Sequence, residues 1–211
     1  MLIALLSFTS PIVALPVHAL VQVGSNTGRA AMMRRHIMPG VVGWFVLGSL
    51  FGIVIASQII IGLPTQWLQL ILAIFILWSV WAPKASGFAI PDKAYFGVGG
   101  ATSFATMFLG ATGPLLAAFL SPDRYGRDKT VATHATCMAL QHLLKLTAFG
   151  FLGFVLMEWL PLVFAMIISG LLGTWLGRQL LSQLPEPTFK KMFKIVLTVL
   201  ALRLLYKAVM G

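Results

Sequence analysis

The chain alternates between long apolar segments and short polar or Gly-Pro segments. The long apolar segments lie at 13–36, 41–61, 65–82, 130–150, 160–182 and 188–209. A helix needs about 20 residues to cross the hydrocarbon core of a bilayer, and these segments approach or exceed that length. Because backbone polar groups in lipid must be satisfied within each segment, the pattern predicts an all-α, polytopic helical membrane protein. A shorter apolar segment, 2–8, precedes the series.

Two further apolar segments, 95–109 and 114–121, are each too short to cross a bilayer comfortably. They meet at the sequence Gly110-Ala111-Thr112-Gly113-Pro114. Since glycine and proline mark turns, we expect a re-entrant or broken-helix hairpin at this point. A basic loop at 121–129 separates the hairpin from helix 130–150.

Composition supports the membrane assignment, and the positions of the basic residues explain the positive net charge. Hydrophobic residues make up 59% of the 211 residues and charged residues only 9%, whereas soluble domains carry about 25% charged residues. The formal net charge is +10, from 15 Lys and Arg against 5 Asp and Glu. Most basic residues lie between apolar segments, so they indicate cytoplasmic loops at a lipid bilayer. We therefore expect no nucleic-acid partner.

Landmarks of the first half of the chain recur in the same order in the second half. The matched pairs are His18 and His134, Arg29 and Lys145, Gly52 and Gly173, and Pro64 and Pro185. The first two pairs are 116 positions apart (134 − 18) and the last two 121 (173 − 52), a change that a small loop insertion explains. The pattern predicts a membrane repeat at 1–82, a cytoplasmic linker at 83–94 and a second repeat at 95–211.

The distribution of basic residues predicts that the two repeats are inverted. If Arg34-Arg35 is cytoplasmic, counting the crossings places the 83–94 linker and the 121–129 loop inside as well, and Glu158 outside. Equivalent loops of the two repeats then lie on opposite faces of the membrane. Inverted repeats are typical of secondary transporters, and we expect a multi-pass protein of the cell inner (plasma) membrane.

The second repeat opens with a hairpin that the first repeat contains only in part. The offset of 116 aligns Ala118 with Leu2 (118 − 116), so the first repeat begins in the middle of its hairpin. Two explanations stay open: the start of the sequence is truncated or misassigned, or the protein works with half a first hairpin. A homodimer could complete the shortened repeat.

The C-terminal part reads GLLGTWLGRQLLSQLPEPTFKKMFKIVLTVLALRLLY, a small-residue helix followed by a Leu-Pro turn and a last apolar helix. Together with the repeat and the Gly-rich hairpin, this order resembles the sulfite exporter TauE/SafE family. The resemblance extends over nearly the whole chain and implies a membrane transporter for sulfite, sulfonates or related anions. The shortened first hairpin departs from the family pattern.

The hairpin supplies the first candidate residues for substrate binding, Gly110, Thr112 and Gly113. A broken helix exposes backbone N–H groups, and the N-terminus of a half-helix favours an anion. Glycine lets a ligand approach the backbone, and the Thr112 hydroxyl adds a donor. The alternative is a simple tight turn between two helices.

The matched residues of the repeat supply further candidates. His18 and His134 each lie early in a helix that follows a hairpin, where an imidazole can donate to an anion or carry a proton. The alternative is packing, with each ring bonded to backbone. Arg29 could reach the cytoplasmic interface instead, whereas Lys145 lies deep in its segment and should face a cavity, a partner or substrate.

Polar residues also recur along one face of helix 13–36 and along one face of helix 130–150. They are Gln22, Asn26 and Arg29 at i, i+4 and i+7, and His134, Gln141 and Lys145 at i, i+7 and i+11. Positions with these spacings share a helix face, so these residues, with His142, could line one cavity. Hydrogen bonds between helices are an equal alternative.

The chemistry that the sequence lacks narrows the function. All five acids lie in loops or at helix ends, namely Asp92, Asp123, Asp128, Glu158 and Glu186. No carboxylate is left in mid-membrane to bind sodium, which counts against a cation transporter. The single cysteine, Cys137, and the absence of HExxH, CxxC and GxSxG motifs predict no metal, no cofactor and no enzyme.

These features predict a secondary transporter that moves a small anion by alternating access. Substrate would lie between the hairpin and helices 13–36 and 130–150. The identity of the anion, sulfite or an organosulfonate, rests on the resemblance. Two alternatives are a non-transporting membrane scaffold or assembly partner, and a membrane-embedded enzyme that uses His18 and His134 but lacks an evident third ligand or nucleophile.

Overall fold

The computed structural model describes residues 11–60, 62–81, 90–110, 112–120, 122–181 and 186–210. Every regular element in those ranges is helical, which confirms the all-α prediction. The α-helices are α1 (Pro11–Met32), α2 (Pro39–Ile60), α3 (Thr65–Trp81), α4 (Tyr95–Leu109), α5 (Gly113–Ala117), α6 (Pro122–Tyr125), α7 (Arg127–Phe151), α8 (Leu160–Leu181) and α9 (Glu186–Met210). Short 3₁₀ helices lie at Arg34–His36, Asp92–Ala94 and Leu156–Trp159.

The long helices begin and end within a few residues of the predicted positions, and two short segments differ. Helix α5 ends at Ala117, so it is shorter than the predicted 114–121. The predicted loop at 121–129 contains α6 and the start of α7, separated by Gly126 with a φ of 78°. The segment 2–8, linker residues 83–89 and the Leu184-Pro185 turn lie outside the described residues.

Helices α2 and α4 form the largest helix–helix interface of the described chain, and glycine makes it possible. A side-chain carbon at Gly48 would overlap the carbonyl oxygen of Phe96, and one at Gly99 would overlap that of Phe45. Gly52 meets the α4 backbone in the same way. The two backbones are therefore in direct contact, as small residues allow between helices in lipid.

Helix α7 packs against α1 and α2 and also contacts α4 and α5. Its residues Cys137 and Met138 belong to one buried apolar cluster, whose other members come from α2, α4, α5 and the segment that follows α5. Ala148 and Phe149 belong to a second cluster, which also contains residues of α1 and α3. The buried polar positions of α7 between residues 141 and 145 thus lie between two apolar clusters.

The outer surface of the long helices is apolar. On α2, for example, Phe51, Val54 and Ile55 are each more than half exposed. Soluble monomers rarely expose contiguous apolar surfaces of this kind. The surface is suited to contact with lipid.

One described helix, α2 with 22 residues, has the length and apolarity of a membrane span. A second would be present if α7 and the segment Leu156–Ser169, which meet at 118°, form one broken span. Helix α3 is apolar but has only 17 residues. This is fewer spans than the pattern predicts, because buried polar side chains lower the hydropathy of α1 and α7. Inverted repeats, multi-pass topology and domain boundaries stay predictions.

The segment after α1 and the start of α7, which the distribution of basic residues assigns to the cytoplasm, contact each other. The Nε2 atom of His36 lies 4.0 Å from Oδ2 of Asp128. Nearby, the backbone N–H of Met38 donates to Oγ1 of Thr133 at 3.1 Å. These contacts link the 3₁₀ helix after α1 to the first turns of α7.

Candidate functional site

The predicted hairpin is a sharp break between α4 and α5. Helix α4 ends at Leu109 and is followed by Gly110, whose φ of 76° favours glycine because it lies in the left-handed region. The Gly110 N–H donates to the Thr106 carbonyl at 3.0 Å, which closes the last turn of α4. Helix α5 then has five residues, too few to build a large helix dipole. The N-terminus of α5 therefore attracts an anion less strongly than the sequence indicated.

A polar face of α7 is bonded to this hairpin. The Nε2 atom of His134 lies 3.0 Å from the Gly113 carbonyl oxygen. Gln141 and Lys145, further along the same face, bond to α4. His134, Gln141 and Lys145 therefore face the hairpin together. The bond of His134 to backbone and the interhelical bonds of Gln141 are those that the sequence offered as alternatives to substrate binding.

Gln141 connects both arms of the hairpin. Its side chain is fully buried, and its amide N–H donates to Oγ of Ser103 at 2.9 Å and towards Oγ1 of Thr102 at 3.4 Å. The Thr112 hydroxyl donates to the amide oxygen at 3.4 Å. One amide thus ties two hydroxyls of α4 to the residue that precedes α5.

Lys145 lies at the C-terminal end of α4. Its side chain has no exposed surface, and its ammonium donates to the Thr106 carbonyl oxygen at 2.6 Å. That carbonyl belongs to the last turn of α4, where the helix dipole places partial negative charge. The ammonium also lies 5.8 Å from the centre of the Phe149 ring, within the range of a cation–π contact.

Two histidines form a separate pair beside this network. His18 of α1 and His142 of α7 are 5% and 1% exposed, and their rings meet edge to face at a centroid distance of 5.7 Å. Neither Nδ1 atom has a hydrogen-bond partner among the described residues. Although the repeat matches His18 with His134, in space His18 lies against His142.

The remaining candidates on α1 are not brought to the hairpin by any described bond. Gln22 is half-buried and Asn26 is buried, and the Asn26 amide donates back to the Gln22 carbonyl at 2.9 Å. Arg29 is exposed, as expected if its side chain reaches the membrane interface. The polar face of α1 is therefore bonded within its own helix, whereas that of α7 is bonded across to the hairpin.

The sequence matches the family model for the sulfite exporter TauE/SafE over residues 1–204. The chain belongs to the TauE/SafE family. No curated protein and no solved structure matches it. The TauE/SafE family implies a membrane transporter of sulfite and related sulfur anions, which agrees with the helical fold and the apolar exterior.

The central residues of the candidate site are closed to solvent. Thr112, Gln141, His142 and Lys145 each have at most 1% of their surface exposed. A ligand can reach them only if the helices move apart. Among the described residues, no group of three His, Cys, Asp or Glu side chains is placed to hold a metal ion.

Sequence reasoning missed the hydroxyl side chains on α4. Thr102, Ser103 and Thr106 are buried, and the hydroxyls of the first two bond Gln141 of α7. Their spacing of i, i+1 and i+4 in an otherwise apolar segment is a signal for one polar helix face. The signal is weak because a hydroxyl in a helix can also bond its own backbone, as Thr102 does with the Val98 carbonyl at 2.7 Å.

Proposed function

We propose that this TauE/SafE family member is a secondary transporter that moves a small sulfur oxyanion, sulfite or an organosulfonate, across the plasma membrane. The observation that carries the proposal is the burial of Lys145, whose described hydrogen bond goes to a neutral carbonyl. Burying an ammonium without a counter-ion costs several kcal/mol. Such residues inside membrane proteins mark ion and substrate pathways.

Donors for an anion lie around Lys145. An ammonium has three N–H donors, of which the Thr106 carbonyl uses one. One helical turn before Lys145, Gln141 is bonded to the hydroxyls of Ser103 and Thr112. Sulfite and sulfonates present three oxygen acceptors, which suit an ammonium with neighbouring neutral donors, because charge-assisted hydrogen bonds are the strong ones.

The charge of the interior favours an anion over a cation. Asp92, Asp123, Asp128 and Glu158, the acids whose side chains are described, are all exposed. An anion beside Lys145 would meet none of these carboxylates. A cation in the same place would meet only the ammonium and would be repelled.

Alternating access supplies the motion that a closed site requires. In this proposal the repeats are inverted and rock against each other, opening the site first to one side of the membrane and then to the other. Gly110, with its positive φ, is the hinge between α4 and α5. In this proposal Gly110, Thr112, Gly113, His134, Gln141 and Lys145 hold the substrate, whereas a contact of His18, Gln22 or Arg29 with substrate stays a prediction from the sequence.

Flux of radiolabelled sulfite into proteoliposomes tests the proposal. Lys145→Gln removes the positive charge, and losing charge-assisted bonds of about 1.5–3 kcal/mol predicts roughly 10- to 100-fold slower flux. The matched control is Lys129→Gln at the exposed start of α7, which should keep the wild-type rate. Wild-type flux no faster than that of protein-free liposomes would contradict transport.

The bonding of the hairpin also favours a second candidate, a non-transporting membrane scaffold. His134, Gln141 and Lys145 each have a hairpin partner, so they could serve only to hold the hairpin in place. In that case neither sulfite, sulfonate nor sulfate would be transported. Lys145→Gln would then lower the melting temperature and change nothing else.

A further inference from the structure

The two histidines between α1 and α7 each have a ring nitrogen that makes no described hydrogen bond. His18 and His142 are almost fully buried, and the Nδ1 atom of each lacks a partner among the described residues. A buried polar atom without a hydrogen bond costs about 1–3 kcal/mol. Two such atoms in one pair of rings call for a role in another state of the protein.

Imidazole chemistry suggests what that role is. A neutral imidazole has one N–H donor and one bare nitrogen, and only the bare nitrogen can bind a proton. The two rings lie edge to face with their centroids 5.7 Å apart, so the pair can hold one proton on either unpartnered Nδ1 atom. Among ordinary side chains, histidine is the one that gains and loses a proton near neutral pH.

The charges that face this pair come from α7. Lys145 follows His142 by three residues and so lies on the same side of α7. Helices α3 and α4, which also touch α1, contain no Asp, Glu, Lys, Arg or His. In α8, the other neighbour of α1, the one charged residue is Arg178 in the last turn. On α1 itself, Arg29 is exposed.

These charges couple the proton to an anion. A proton on the histidine pair adds a second positive charge beside the Lys145 ammonium, and the two repel each other in a site closed to water. An anion held by Lys145 removes that repulsion. Proton and anion therefore bind more tightly together than either does alone, a reciprocal coupling.

We propose that His18 and His142 form the proton-binding site of this transporter, and that one proton travels with each anion in the same direction. The inference rests on the proposed transport function and adds the coupling ion. The proton moves from water to an Nδ1 atom as the anion enters and returns to water as the anion leaves. No covalent step is involved.

Isothermal titration calorimetry of the purified protein in detergent tests the coupling. The probe is methanesulfonate, because a sulfonate has no proton to gain near neutral pH, with sulfite titrated in parallel. Titration in two buffers of different ionisation enthalpy measures proton uptake, and we expect about one proton per methanesulfonate below pH 7 and less as pH rises. Anion affinity should fall over the same range.

Variants of His18 and His142 test whether these residues bind the proton. His142→Gln, at a residue outside the proposed substrate-binding set, should bind the anion with no proton uptake, and in proteoliposomes it should carry anion without moving a pH-sensitive dye. The double variant His18→Gln with His142→Gln should likewise take up no proton with any anion that it binds. His36→Gln, an exposed histidine after α1, should keep full proton uptake.

Each result decides the inference, and one of them also decides the proposed function. Anion binding by the wild type without proton uptake would overturn the coupling and leave anion transport standing. Proton uptake that persists in the double variant would overturn the assignment to these histidines. Failure of both methanesulfonate and sulfite to bind would overturn the inference and the transport function together.

Discussion

Helices α1 and α7 each carry polar residues along one face, but those residues make different contacts. In α7 the polar face bonds to the hairpin through His134, Gln141 and Lys145. In α1, Asn26 bonds its own helix and Arg29 is exposed. Repeat-matched residues thus differ in environment because a bonded hairpin accompanies only α7 within the described structure. The difference shows that polar residues along a helix face make contacts across to another element in α7 but not, among the described bonds, in α1.

The largest effect should come from the glycine contact of α2, compared with its repeat-matched position in α8. Gly48→Val places a side chain where the Phe96 carbonyl lies, and overpacking of this kind costs about 3 kcal/mol. That corresponds to a fall of roughly 6–12 °C in melting temperature for a chain of this size. Fluorescence-monitored melting in detergent measures it.

Ser169→Val is the matched control for that substitution. Ser169 lies 121 positions after Gly48 (169 − 48), the offset of the repeat, and it is exposed. Its replacement should leave the melting temperature within about 1 °C, since exposed substitutions stay near ±0.5 kcal/mol. Equal losses at both positions would mean that the two helices are packed alike.

A smaller effect is expected when the buried amide of α7 is removed. Gln141→Leu leaves the hydroxyls of Thr102, Ser103 and Thr112 without their shared partner, at a cost of about 2 kcal/mol. We expect the melting temperature to fall by roughly 4–8 °C. Gln22→Leu on α1 should change it little, because the Gln22 side chain is half-buried and bonds no other described residue. A larger fall in melting temperature for Gln22→Leu than for Gln141→Leu would contradict the difference between α1 and α7.

The smallest effect should come from Arg29, the repeat-matched counterpart of Lys145. Arg29→Gln alters an exposed side chain, so sulfite flux in proteoliposomes should stay within about twofold of wild type, as for other exposed charges. Flux at several external pH values checks this. A loss as deep as that of Lys145→Gln would mean that Arg29 reaches the substrate in another conformation.

The sequence predicts the hairpin and the polar face of α7 well, because both depend on local signals. Gly110 and Pro114 mark the break, and the spacing of His134, Gln141 and Lys145 sets their common face. The contact between His18 and His142 could not be predicted, since it depends on how α1 packs on α7. The repeat instead aligned His18 with His134, which is equivalence in sequence and not proximity in space.

Distance along the sequence from other charged residues explains two further outcomes. Lys145 lies 16 residues after Lys129 (145 − 129) and 13 residues before Glu158 (158 − 145), so its burial follows from the sequence. Arg29 lies five residues before Arg34 (34 − 29) and can reach the interface. The hydroxyls of α4 were missed because Ser and Thr satisfy themselves on their own helix as readily as on a neighbour.

Binding of radiolabelled sulfite to purified Lys145→Gln and Arg29→Gln, measured side by side with wild type, tests the central claim most directly. The hairpin and α7 form the anion site in this account, so Lys145→Gln should weaken binding roughly 10-fold or more. Arg29→Gln should bind as wild type does. Wild-type affinity in Lys145→Gln, or equal losses in both variants, would contradict the account.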